Sequence, residues 1–190
     1  MMGSKERNMP KETIALAKAH RLLTSGPVTL ITAAYNQRVG IMPASWVMPI
    51  SLKPLLVALS VAPSAFTHEL IEKSNEFAIN IPTGDLARAV KQAGSISSRD
   101  VDKFKVLGLH PIAATKISAP LVEECIGHLE CTVVDRYTFG DHTLFIAEIQ
   151  AAQVETGTFE GVWLVEKEEA KVLHHLGGST YCVPKGRFDV

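Results

Sequence analysis

Four short stretches carry side chains that could do chemistry. In Pro43-Ala44-Ser45-Trp46-Val47-Met48-Pro49-Ile50-Ser51, small residues flank one tryptophan at the end of a strand. Small side chains let a flat ligand reach the backbone N–H and C=O groups, although a core tryptophan at a strand end accounts for the same pattern. In Ser60-Val61-Ala62-Pro63-Ser64-Ala65-Phe66-Thr67-His68, a strand runs into hydroxyl residues at a helix start. Free N–H groups and the helix dipole suit a phosphate there. Ser64 and Thr67 add hydroxyls and His68 a charge when protonated; ordinary capping by Ser64 would use the same residues. The third stretch, residues 94–104, offers Ser98, Arg99 and Lys103 within six positions. They suit a second hand on a phosphate, or a solvated loop with local ion pairs. The fourth, Phe139-Gly140-Asp141-His142, sets an acid beside a histidine at a turn. Such a pair can hold one imidazole tautomer beside a site, or serve only the turn. His174 and His175 are adjacent, so on a strand they face opposite sides and make a poor metal pair. No metal site is expected, and Cys125 and Cys131 read as buried small hydrophobes.

The elements that must position these stretches follow from pattern and punctuation. Residues 11–23 are rich in helix formers and stop at Ser25-Gly26-Pro27. Strands are expected over 28–34, 41–47, 55–61 and 77–81, with a turn at Asn36-Gln37-Arg38. A helix over 65–73 would start at Ser64, and a second would run from Thr83 to Ala93 and end at Gly94. Residues 95–105 read as a polar loop. In 129–136, Leu129, Cys131 and Val133 share one face, and a strand over 143–154 completes a long hairpin. Further strands are expected over 171–176 and 180–183. About eight strands and three helices, with strands following strands, favour an antiparallel barrel or sandwich with peripheral helices.

The chain has 190 residues, 19 basic and 20 acidic, for a net charge of −1. That balance argues against a nucleic-acid partner. Its length and its 46% hydrophobic content suit a single domain over 1–190, with residues 1–10 a flexible tail. No apolar run reaches membrane-spanning length, and the polar N-terminus lacks a signal peptide's apolar region, so the protein reads as cytoplasmic. No G-x-G-x-x-G, phosphate loop, H-E-x-x-H, C-x-x-C or G-x-S-x-G is present. These absences weaken the commonest enzyme readings and leave open an enzyme whose chemistry comes from a bound cofactor.

In order and spacing the stretches together resemble the flavin reductase-like family with the FMN-binding split-barrel fold, closest to its flavoredoxin-like branch. The resemblance runs from about residue 20 to residue 182. It rests on Ala44-Ser45-Trp46-Val47 with Ser51, on Ser60 through Thr67, and on Glu76-Phe77-Ala78-Ile79-Asn80-Ile81-Pro82. It continues in Ser98-Arg99-Asp100-Val101-Asp102-Lys103-Phe104, Gly127-His128-Leu129-Glu130-Cys131, Gly140-Asp141-His142 and the tail Leu173-His174-His175-Leu176-Gly177-Gly178. It implies a mainly β fold, an antiparallel Greek-key-like split barrel with a few helices, and FMN rather than FAD at or near a homodimer interface. Ala44, Ser45, Trp46, Val47 and Ser51 would line the ring and ribityl chain. Ser60, Ser64, Phe66 and Thr67 would form the phosphate turn, Ser98 and Lys103 a second contact, and catalytic His142 would stand near the nicotinamide. The implied activity is an NAD(P)H:flavin, ferric or other-acceptor oxidoreductase. The alternative is a flavoredoxin-type carrier reduced by an electron-transfer protein.

Overall fold

A computed structural model describes residues 10–188. The expected tail over 1–10 lies outside the described residues, Pro10 excepted. A 3-10 helix, Leu16–Leu22, comes first. Strands β1 (Gly26–Pro27), β2 (Thr29–Tyr35), β3 (Arg38–Ala44), β4 (Val47–Leu52) and β5 (Leu55–Val61) follow. Helix α1 (Phe66–Ser74), β6 (Glu76–Ile81), α2 (Ala87–Ala93) and α3 (Lys103–Leu107) come next. Short β7 (Pro111–Ile112) and β8 (Leu121–Val122) lead to the long hairpin of β9 (Gly127–Phe139) and β10 (His142–Val154). Last are β11 (His174–Gly177) and β12 (Thr180–Cys182).

Seven strands pair in the order β3-β2-β6-β9-β10-β5-β4, every neighbouring pair antiparallel. β3 and β4 stand at opposite edges of this sheet, yet only Ser45 and Trp46 join them. Three Cα steps span at most about 11 Å. The sheet must therefore curl until its edges meet, which makes a barrel split along the β3/β4 seam. Pro43 and Pro49 fall on those two edge strands, where a missing N–H breaks no interior ladder. The mainly β, antiparallel split-barrel expectation holds. No helix among the described residues is long and apolar enough to cross a membrane.

Alternation decides which side chains fill the barrel. Ile31, Ala33, Val57, Leu59, Phe77, Ile79, Cys131 and Phe145 point inward and pack with Phe66, Leu70 and Ile71 of α1. Leu129 and Val133 join Cys131 there, as their shared face requires. The outer face of β2 and β3 is covered by α2, α3 and residues 109–125, through Leu30, Ile41, Val90, Phe104 and Val122. Both faces of β2 are thus buried. α1 lies close on β3 because Gly40 has no Cβ: one placed there would stand 2.9 Å from Leu70 Cδ1 and 3.0 Å from Thr67 Oγ1.

Several expectations change. The helix over 11–23 shrinks to the 3-10 segment, none of whose residues is buried; a short helix with no packed face is marginal. The strand over 41–47 breaks at Ser45-Trp46, where the chain crosses the seam. Ser64 does not cap α1; the cap position is Ala65, with no side-chain bond. The 83–93 helix begins as a 3-10 turn, Gly84–Leu86, and Thr83 makes no side-chain cap. The 95–105 loop contains the start of α3, capped by the Asp102 carboxylate and ended by Gly108 at φ +67°. The hairpin turn between β2 and β3 uses Asn36 and Gln37, both at positive φ, as a tight two-residue turn demands.

Candidate functional site

The seam opens into a groove made of two cavities that share Met42, Pro43 and Ala65. The first, about 340 Å³, lies where the chain crosses from β3 to β4. Ala44, Ser45, Trp46 and Ser60 line it, with Ala62 and His142. Ala44 ends β3 and its carbonyl accepts from Thr29 Oγ1 at 3.1 Å. The Ser60 N–H donates to the Trp46 carbonyl at 3.0 Å, fixing the crossing against β5. Trp46 is 42% exposed. Its ring centroid lies 4.7 Å from that of His142 and 6.1 Å from that of His20. His142 sits at the head of β10, its Nδ1 2.7 Å from Asp141 Oδ1. The expected acid–histidine pair is therefore formed, and His142 beside Asp141 holds that carboxyl below its ordinary range. On the facing wall, His175 Nδ1 lies 3.4 Å from Ser45 Oγ.

The second cavity, about 350 Å³, lies at the start of α1. Ser64, Thr67, Ser98 and Lys103 line it, with Phe66 and Gly94. Phe66 and Thr67 are the first residues of α1, whose N–H groups have no carbonyl within the helix to bond. Ser98 is partly engaged, its Oγ accepting from the Ile41 N–H at 3.3 Å. Lys103 is buried, and its Nζ donates to the Ile41 carbonyl at 2.9 Å and the Ala93 carbonyl at 2.6 Å. It therefore ties the 94–103 loop to β3 and keeps one of three N–H donors for a ligand. Burial lowers its pKa from 10.5 to about 8.

Not every expected residue reaches the groove. Val47 packs against the barrel core and lines a neighbouring depression beside Trp46 and Met48. Ser51 lies farther along β4, paired with Leu56, and lines neither cavity. His68 does not serve as a charge at the phosphate end. It is buried, with Nε2 2.8 Å from Thr143 Oγ1 and its ring against Phe145. Burial lowers its pKa, opposed by Glu72. His20 and Arg21 from the 3-10 helix, which no sequence motif included, also line the first cavity, as do His175, Gly177 and Gly178 of the tail motif, to which the sequence assigned no site role. His20 and Trp46 are 26 positions apart, and no local pattern links them.

The groove suits a flavin. Ala44, Ser45, Ala62 and Ala65 leave room for a planar ring near backbone, and the far end gathers hydroxyls, a helix start and an ammonium. Residues 21–175 match the flavin reductase like domain. The chain belongs to the flavin reductase-like family. It is 37% identical over 174 residues to the uncharacterized Escherichia coli (strain K12) protein YddH, covering 88% of this chain and 92% of that one. It is 28% identical over 144 residues to the NADH-dependent FAD reductase of Streptomyces globisporus, covering 75% of this chain and 77% of that one. Its fold is similar to that of the flavoredoxin of Desulfovibrio vulgaris (Miyazaki F), with TM-score 0.82, 25% identity and 96% of each chain covered. This flavin reductase-like chain thus carries the family's barrel with its groove at the open seam.

Proposed function

We propose that the chain is a flavin-dependent oxidoreductase that holds a flavin through its FMN moiety, ring in the Trp46 cavity and phosphate in the Lys103 cavity. The observation that carries this is the continuity of the two cavities through Met42, Pro43 and Ala65, with Trp46 and His142 at one end and Lys103 beside the start of α1 at the other. When bound, the flavin would take a hydride at N5 from NAD(P)H and pass electrons to free flavin, ferric iron or a protein. The chain's own residues bind and orient. Trp46 and the backbone at 44–47 shape the ring cavity. Thr67, Ser64 and the first N–H groups of α1 hold the phosphate, with Lys103 supplying charge. His142, oriented by Asp141, stands at the mouth, where it can donate a proton or a hydrogen bond to a docked nicotinamide. This assigns acid–base work to one residue and leaves hydride chemistry to the cofactor.

We also propose a homodimer with the groove at or near its interface. Met48, Ile50 and Leu52 on edge strand β4 are exposed, as are Val134, Tyr137 and Phe139 at the hairpin tip. Exposed apolar surface of this kind marks association. A flavoredoxin-type carrier, reduced by a protein rather than NAD(P)H, is the second reading. The similarity to a flavoredoxin over 96% of each chain favours it.

The test is the absorbance of the purified protein, followed by anaerobic addition of NADH and NADPH. Bands near about 370 and 450 nm that bleach on addition support the oxidoreductase. Bands that persist turn the choice to the carrier. A protein that takes up no flavin refutes both. Gel filtration giving a flavin-loaded monomer refutes the dimer.

A further inference from the structure

Ser45 and His175 stand in a wall shared by two spaces. On one side is the ring cavity. On the other is an outer cavity of about 270 Å³, which Lys91, Ser95 and Ser179 also line. Those three residues are exposed, so the outer cavity opens to solvent. A proton from water therefore reaches the His175 imidazole without crossing the ring cavity.

Hydrogen bonds decide which ring nitrogen of His175 carries its proton. Nε2 lies 3.1 Å from the Gly178 carbonyl oxygen. A carbonyl only accepts, so Nε2 holds a hydrogen, and in the neutral imidazole Nδ1 is left as a bare acceptor. Its partner is Ser45 Oγ, at 3.4 Å. Ser45 must then turn its hydrogen toward His175 and face the ring cavity with lone pairs. When His175 is charged, Nδ1 carries a hydrogen too. Ser45 Oγ accepts that one, and its own hydrogen is freed to turn into the cavity. One proton on His175 thus changes this point of the wall from acceptor to donor and adds a positive charge beside it.

The surroundings leave that charge unpaired. The 3-10 helix contributes His20 and Arg21, β10 contributes His142, and α2 contributes Lys91. Tyr181 of β12 lies 5.1 Å away, ring centroid to ring centroid, and His174 is the neighbour on β11. Among the described residues, no carboxylate lines either cavity. An imidazolium here gains an opposite charge only from a ligand, and such a charge favours the protonated form. We propose that His175 is a positioning residue: it takes up a proton from solvent when negative charge appears in the ring cavity, and so turns the Ser45 hydroxyl into a donor toward that charge. This rests on the flavin reading above, in which the reduced ring is the anion.

The experiment reads the imidazole nitrogens by NMR, the His175 signals being assigned by their loss in His175→Phe. In flavin-free protein, neutral His175 should carry its hydrogen on Nε2, and Ser45→Ala should move the Nδ1 resonance and spare Nε2. A hydrogen on Nδ1, or an Nδ1 resonance that Ser45→Ala leaves in place, overturns the proposal. In FMN-loaded protein at pH 7, reduction with dithionite should raise the ratio of charged to neutral His175 about tenfold. Ser45→Ala should cut that rise about threefold, the scale of one hydrogen bond. An unchanged ratio on reduction overturns the proposal. So does an equal rise in wild type and Ser45→Ala, which would be the work of charge alone. Protein that takes up no flavin refutes the flavin reading and with it the response to reduction, while the flavin-free spectra still decide the Ser45–His175 tie.

Discussion

Raising the pH from 7 to 10 should weaken FMN binding by about a hundredfold and leave riboflavin binding nearly unchanged. The reason lies in Lys103. The residue is 6% exposed, and its Nζ already serves the Ile41 and Ala93 carbonyls at 2.9 and 2.6 Å. Burial disfavours the ammonium and lowers its pKa from 10.5 to about 8. A phosphate in the adjoining cavity favours the ammonium, so the complex keeps its proton well above that pH. Binding then needs a proton that the free protein sheds above about pH 8, and affinity falls about tenfold for each further pH step. Two steps, to pH 10, give about a hundredfold, or about 2.7 kcal/mol. Riboflavin carries the same ring without the phosphate, so comparing the two removes any titration of the ring. Lys103→Met should flatten the FMN profile and cost about 1–3 kcal/mol of FMN affinity at pH 7. The same lowered pKa acts in the opposite sense on folding. Between about pH 8 and the unfolded value of 10.5, the unfolded chain binds more protons, so this group's contribution to stability rises with pH. Loss of FMN therefore cannot be Lys103-driven unfolding. The assay is flavin fluorescence quenching across pH 7–10. A flat FMN profile, a parallel riboflavin profile, or an unchanged fall in Lys103→Met would refute the reasoning.

Three further outcomes follow from the packing. Gly40→Ala should destabilise the fold by about 1–3 kcal/mol, because the new methyl meets Leu70 and Thr67 of α1 within about 3 Å; a variant melting with the wild type would contradict this. Glu130 is 2% exposed and accepts from the Thr115 N–H, its hydroxyl and the Lys116 N–H. Burial pushes its pKa up, but these bonds outweigh burial and hold it below the ordinary value. Its contribution is thus complete above the ordinary carboxylate range and lost as the pH drops through the lowered pKa. Glu130→Ala should cost about 2–4 kcal/mol and speed hydrogen exchange at Thr115 and Lys116, and unchanged exchange there would count against it. Of three cysteines, only the exposed Cys182 should react with a thiol reagent in the native state. Burial raises the Cys125 thiol, and the Cys131 thiol up to about 12, and the thiolate is the reactive form. Two or three native equivalents would refute that burial.

Local chemistry made part of this protein legible in one dimension. Alternation in Leu129, Cys131 and Val133 fixed the inward face of β9, and the Gly140-Asp141 turn fixed the hairpin that carries His142. The sequence read 55–61 as a strand with the bounds that β5 has. The hydroxyl-rich entry to α1 was also visible in Ser64 and Thr67, although neither caps the helix. What a sequence window cannot carry is which distant elements the barrel's closure brings together. Two residues, Ser45 and Trp46, connect strands at opposite edges of a seven-stranded sheet, and that connection forces the curl that opens the groove. Closure also sets His20 against Trp46 and His175 against Ser45, pairs with no common motif. It turned His68 into the barrel, left Ser51 along β4, and buried Lys103 between two carbonyls. Each follows from where neighbouring strands and helices lie, because burial and hydrogen-bond partners are properties of the packed chain. Residue types supplied the chemistry; the closed sheet decided which of them share a site.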